Sequence, residues 1–361
     1  MDKSEKMWAL AVAGLGCTSN LDCSLNGVCE SGACACDTPW TGDVCGVLGF
    51  ATTPASAKDI YPVADVRNTW GGPIAGPDAG GQFHIYVPIY GKGQLFGAKR
   101  IKHGVAANAS GPYEFGARPD IAPASINPGL LVFNDYSSAG NKTVVSLWMG
   151  DHVVVAGSPD GNFSRVPNFK YPGKANPAPL WHDGAFYLTT QHTLQVYRLA
   201  GSTLGAPGVE WSVHANISHA SVPAGVTPED PFMFIDRRGN WHIINHAYDV
   251  SQLENCASST LSTHFFSEDG HDWHLLTGVQ PYGHTVCFDD GTCHTYATLE
   301  RPFLHFDQHG QMTHLVLAAD LITGDEGCAN RTGKHAGPNG TACTNCKYND
   351  HAGTIVVTLD V

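Results

Sequence analysis

Residues 227–249 read "TPEDPFMFIDRRGNWHIINHAYD". Two acids, Glu229 and Asp230, stand before Pro231 and a short apolar run. A glycine turn follows, then a second apolar run that ends in His246, Tyr248 and Asp249. Short runs rich in Phe, Ile and Trp on either side of such a turn form a β-hairpin. Proline at a strand start sacrifices no ladder hydrogen bond and fixes the angle at which the chain enters. The acids therefore sit either in a site or in one unit of a repeated scaffold.

The hairpin recurs. Residues 300–318 read "ERPFLHFDQHGQMTHLVLA", 176–190 "NPAPLWHDGAFYLTT", 72–87 "GPIAGPDAGGQFHIYV" and 127–133 "NPGLLVF". The strand-start prolines Pro73, Pro128, Pro177, Pro231 and Pro302 are spaced widely enough for a four-stranded antiparallel sheet each. A later turn repeats as well, in "ASGPYEF" (109–115), "SPDGNF" (158–163) and "SEDGHDW" (267–273). The pattern predicts an all-β chain with a five-bladed β-propeller, its ring closed with the help of the C-terminal "GTIVVTLDV". A sandwich or barrel does not produce five copies of one hairpin.

Composition agrees. The 361 residues include 41 Gly and 22 Pro with only 15% charged, the profile of a turn-rich β protein. A formal charge of -13 without any basic cluster argues against nucleic acid or an anionic membrane surface as partner. No apolar run reaches the roughly 20 residues that span a bilayer, so membrane insertion is not expected.

Twelve cysteines fall into two groups of six. Six N-x-S/T sequons stand at Asn108, Asn141, Asn162, Asn216, Asn330 and Asn339. Together these predict disulfides, N-glycosylation and secretion. Residues 1–16 carry an apolar core and Ala11-Val12-Ala13, but their first six residues have no net positive charge; they read as a signal, its remnant or an ordered start.

Residues 17–46 read "CTSNLDCSLNGVCESGACACDTPWTGDVCG". The spacing resembles an EGF-like module, which implies the pairs Cys17–Cys29, Cys23–Cys34 and Cys36–Cys45; spacing alone leaves fifteen connectivities open. About thirty residues bury too little core to fold without such bridges. The segment before Cys17 lacks the acids of calcium-binding members. The module is expected to be a spacer or a docking surface for a protein or matrix partner, with residues 47–361 forming the propeller. Pairing among Cys256, Cys287, Cys293, Cys328, Cys343 and Cys346 stays open; the Cys343-x-x-Cys346 pair reads as disulfide halves rather than metal ligands.

In a propeller, the first strand of each blade starts at one channel face and the second strand returns to it. The starts supply Trp70, Gly72, Asn127, Asn176, Glu229, Asp230, Glu300 and Arg301. The returns supply Tyr90, His192, His246, Asp249 and Asp320. Carboxylates, an arginine, amides and aromatic rings around a pit suit a sugar. Paired carboxyl groups are also the equipment of glycoside hydrolysis. His84, His242 and His314 fall mid-strand and are assigned to packing. The sequence carries no zinc motif, phosphate loop or nucleophile elbow, and no cofactor is expected.

From about residue 60 onward the blades resemble family-43 glycoside hydrolases, the arabinanase and xylosidase group. That family carries its general acid as Glu in an E-G-P strand start. "PEDP" places Glu229 there and "LERP" places Glu300 one blade on. The family's base Asp belongs at the first blade's strand start, where this chain has Gly72, and a further Asp on a middle blade, where this chain has Asn127 and Asn176. Asp65 and Asp78 are the remaining candidates for a base. The resemblance also allows a calcium ion in the channel. It implies hydrolysis at sugar chain ends, with Glu229 as acid, Asp230 or Glu300 as second carboxylate and His246 in support. Trp70, Tyr90, Asn127, Asn176, His192, Asp249 and Arg301 would bind the sugar. The alternatives are an inactive glycan-binding or structural propeller, and a lyase or isomerase using His246 and Tyr90.

Overall fold

The structure, a computed structural model, describes residues 16–361 apart from 59, 61–67, 91–99, 117–119, 122–127, 136–141, 151, 174, 192, 202, 206–209, 218–221, 223–225, 250–259, 297 and 321–351. Side chains at 134, 135, 142, 248, 249, 260, 261 and 320 are also left aside. Asn127, His192, Asp65, Asn141, Asn330, Asn339, Cys256, Cys328, Cys343, Cys346 and the segment 1–15 thus lie outside the described residues, as do the side chains of Asp249 and Asp320.

Among the described residues, the propeller strands form five antiparallel sheets in chain order, and three two-stranded ribbons stand apart from them. Blade one has an inner strand split into Asn68–Thr69 and Ile74–Ala75, followed by Phe83–Tyr90 and Arg100–Ala106. Blade two begins with Gly129–Asp135 and blade three with Ala178–His182. In blade four, Val226–Ile235 pairs with Trp241–Asp249. In blade five, Leu299–Phe306 pairs with Met312–Asp320, and Ala352–Thr358 lies outside them.

Strand alternation explains why five sheets stack. Successive side chains point to opposite faces, so each blade buries one row against the blade before it and one against the blade after. Leu147 and Met149 pack on blade one with Tyr86 and Ile101, whereas Trp148 between them packs on blade three with Phe186. Met233 and Ile243 meet Tyr187 and Val196. Ile85 and Val87 meet Val316 and Val356, which closes the ring. The closure is reinforced where Phe50 bridges Leu359 and Ala51 N–H donates to the Thr358 carbonyl at 3.0 Å.

The EGF-like module has the three implied disulfides, Cys17–Cys29, Cys23–Cys34 and Cys36–Cys45. It is docked on its own propeller. Trp40 is buried and stacks on His264 of blade four, centroids 5.2 Å apart. Arg238 pairs with Asp37 at 2.7 Å, Gln311 donates to the Thr38 carbonyl at 2.6 Å, and Leu48 N–H donates to the Pro281 carbonyl at 2.8 Å. A fourth disulfide, Cys287–Cys293, ties a hairpin between blades four and five.

The mid-strand histidines are scaffold. In blade one, the turn residue Asp78 meets His84 at 3.1 Å and His84 meets His103 at 2.9 Å. Blade four repeats this with Asp236, His242 and His264 at 3.4 and 3.0 Å. Asp78 also accepts from the Gly80 and Gln82 amides, so its carboxylate organises a turn.

Candidate functional site

The strand starts are built by one repeated backbone device. Where it is described, the residue before a strand-start proline has a positive φ: Gly72 at 145°, Asn176 at 58°, Asp230 at 54° and Arg301 at 59°. In blades four and five the ladder skips across this pair, between Glu229 and Phe232 and between Glu300 and Phe303. Proline has no N–H to give the ladder, and a bulge removes the need for one. Glu229 and Glu300 stay on the ladder, opposite His246 and Ala318, while Asp230 and Arg301 line the channel.

The side chains that meet there form one network. Arg301 Nη1 and Asn176 Nδ2 both donate to Asp230 Oδ1. The other Asp230 oxygen lies 3.3 Å from His246 Nδ1, and His246 Nε2 lies 3.6 Å from Glu300 Oε1. Asn176 Nδ2 also faces Gln191 Oε1 at 3.0 Å, and Gln191 Nε2 donates to Glu229 Oε1. Asp230, His246 and Glu300 are buried; Glu229 is half-buried.

Trp70 and Tyr90 complete the wall on the blade-one side, both buried. Burial pushes the Tyr90 phenol well up; nearby Arg301 opposes the shift and Asp230 and Glu300 add to it. Tyr282 is raised by burial and by the same two carboxylates. Both phenols keep their protons at ordinary pH.

The crevice between the five strand-start prolines holds about 50 Å³. A wider cavity of about 1000 Å³ opens at the opposite end of the channel, with Phe306, Leu131 and the turn acids Asp78 and Asp236 in its wall. Leu130, Pro179, Phe232 and Phe303 line both and divide them. The ionisable network stands at the narrow end, so volume is a poor guide to the chemistry here.

Of the expected site residues, the structure brings together Trp70, Tyr90, Asn176, Glu229, Asp230, His246, Glu300 and Arg301. Gly72 stands among them with no room for a side chain: a Cβ there would lie 2.5 Å from the Tyr86 carbonyl oxygen. Asp78 belongs to the far end. Gln191 is not among the expected residues, although it too lies just past a returning strand, Ala185–Thr189, which is the signal that marks it. Glu229, Asp230 and His246 bring ligand atoms within 4.8 Å of one another. The Arg301 guanidinium on Asp230 opposes a cation there.

The Teneurin-like EGF domain model matches residues 20–47. No curated protein matches the chain in sequence. Among solved structures, the GH43_1 enzyme from Xanthomonas citri is similar at 13% identity and TM-score 0.50, over 84% of this chain and 91% of that one. The same enzyme complexed with xylotriose gives 13% and 0.50, over 84% and 90%. An endo-arabinase from Bacteroides thetaiotaomicron VPI-5482 gives 9% and 0.48, over 86% and 98%. The chain has the five-bladed propeller fold of the family-43 glycoside hydrolases, behind an EGF-like module.

Proposed function

We propose that the chain is a secreted, glycosylated glycan-binding propeller that holds sugar chain ends at the strand-start face without cleaving them. The observation that carries this is Gly72. It occupies the strand start where the resembled family keeps its base, and its φ of 145° and the 2.5 Å approach to Tyr86 exclude a carboxylate side chain. The burial of Asp230 against Arg301 and of Glu300 behind His246 supports the reading, since neither carboxylate is positioned to deliver water to a sugar. Four disulfides, and exposed sequon asparagines at Asn108, Asn162 and Asn216, support an extracellular route.

Hydrolysis remains a second reading because of Glu229. It is half-buried, held by Gln191, and stands where the family's general acid stands. In that reading Glu229 protonates the leaving oxygen, Asp230 or Glu300 is the second carboxylate and His246 supports them. A panel of arabinose- and galactose-type glycans, tested for binding and for turnover with wild type and Glu229→Gln, separates the two. Wild-type binding with no turnover on any glycan fits the proposal. Turnover abolished by the substitution would reject it in favour of hydrolysis.

A further inference from the structure

We infer that the channel crevice receives a single neutral hydroxyl group of the glycan, so that the site selects neutral chain-end sugars over uronic acids. This rests on the glycan-binding reading above and names the class of sugar.

Among the described residues, three donors at the blade-one and blade-five side find no acceptor: Trp70 Nε1, Arg301 Nε and the Tyr90 hydroxyl. Trp70 is 3% exposed and Tyr90 6%. Trp70 and Arg301 line the same crevice, and Tyr90 packs with Trp70. Indole Nε1 and guanidinium Nε can only donate. Buried donors are nearly always satisfied, and leaving one unmet is costly. Buried donors left unmet beside one crevice suit an acceptor that arrives.

Size and charge then narrow what arrives. On this measure a water needs roughly 10–15 Å³, so the 50 Å³ crevice admits a hydroxyl or hydroxymethyl group and excludes a sugar ring. Among the described residues, the network holds the carboxylates of Glu229, Asp230 and Glu300 against one guanidinium, Arg301, which pairs with Asp230. A second anion entering this field is repelled. A hydroxyl instead accepts from two of these three donors on its two lone pairs and donates its own proton to a carboxylate.

The test is calorimetric titration of the full chain with methyl galactoside and with the matching methyl galacturonide. The neutral sugar is expected to bind about tenfold more tightly. Trp70→Phe keeps the ring and removes the donor, and should weaken neutral-sugar binding roughly three- to tenfold, the span of one neutral hydrogen bond. Tyr90→Phe serves as a second donor deletion should Trp70→Phe fail to fold. Tighter binding of the uronide, or unchanged affinity in both variants, overturns this inference and leaves glycan binding intact. Binding of no glycan by wild type, across the wider panel, removes the glycan-binding reading and this one with it.

Discussion

Replacing Trp40 with alanine should destabilise the propeller and not only the module that carries it. Trp40 is 4% exposed and belongs to the cluster shared by the EGF-like module and blades four and five, among Leu48, Phe234, Ile244 and Leu304. A tryptophan buries about 150–250 Å², which at about 25 cal/mol/Å² gives roughly 4–6 kcal/mol before alanine's own share is subtracted. Tryptophan-to-alanine changes in cores cost about 3–5 kcal/mol, consistent with that figure. The indole also covers His264, at the end of the Asp236–His242–His264 chain, so its removal lets water reach blade four. Spread over a chain of this size, the loss corresponds to a fall in melting temperature of roughly 5–10 °C. Differential scanning calorimetry should show one cooperative transition in wild type, moved down as a unit in Trp40→Ala. Two separable transitions, with the larger one unmoved by the substitution, would refute the docking argument and restore the module as an independent spacer.

Three further outcomes follow from the network and the scaffold. Arg301→Met strands the buried Asp230 charge and should cost about 3–5 kcal/mol in urea unfolding, most of it recovered by adding Asp230→Asn; a loss under about 1 kcal/mol would mean that the pair is not structural. Asn176→Asp sets a carboxylate against Asp230 Oδ1 and Gln191 Oε1, which both accept from the Asn176 amide. It should destabilise alone yet be tolerated with Asp230→Asn, with coupling above about 1 kcal/mol in a double-mutant cycle. Burial, with neighbouring His305 adding to it, holds His314 down to about 4 from its ordinary 6.5. The unfolded chain therefore takes up that proton first, and stability falls as pH drops from 6.5 towards 4 and levels off below. At 1.36 kcal/mol per unit this is about 3 kcal/mol from His314; a His314→Gln variant should show a flatter pH profile of melting temperature, and an identical profile would contradict the assignment.

What was legible in the sequence was whatever repeats locally. The x-Pro start, glycine turn and alternating return lie within about twenty residues of one another, and each copy needs only its own chemistry to form. The module's cysteines are local in the same sense. What was not legible depends on residues far apart in the chain. Trp40 lies in the last loop of the EGF-like module, and nothing near it in sequence announces His264 as its partner. The mid-strand histidines read as packing, and their Asp–His–His chains appear only once strands and turns are paired. Phe50 bridges Leu359 because the ring must close, a constraint that no window of sequence contains. At the site, residue types were readable and pairings were not: Arg301 seats on Asp230 because both precede strand-start prolines with left-handed backbone.

That shared backbone also explains how the chain departs from the family it resembles. The family pattern has Glu-Gly-Pro in blade four, with an acid on a middle blade to tune the glutamate. Here blade four has Glu229-Asp230-Pro231 and blade three has Asn176, whose amide donates directly to Asp230. Asparagine and aspartate both tolerate the left-handed conformation that each position imposes, at φ 58° and 54°. The negative charge of this pair thus sits on blade four, beside Glu229. Arg301 then neutralises it from blade five, and Gln191 links Asn176 to Glu229. Asn176, Gln191 and Arg301 thus each donate to an acceptor of this network. The blade-one position is different in kind, because Gly72 is held by the Tyr86 carbonyl and its own φ, and no side chain can return there without moving the strand. On the proposed reading, the strand-start face keeps its polar groups to hold a sugar, while the blade-one start, where Gly72 admits no side chain, offers no carboxylate to activate water.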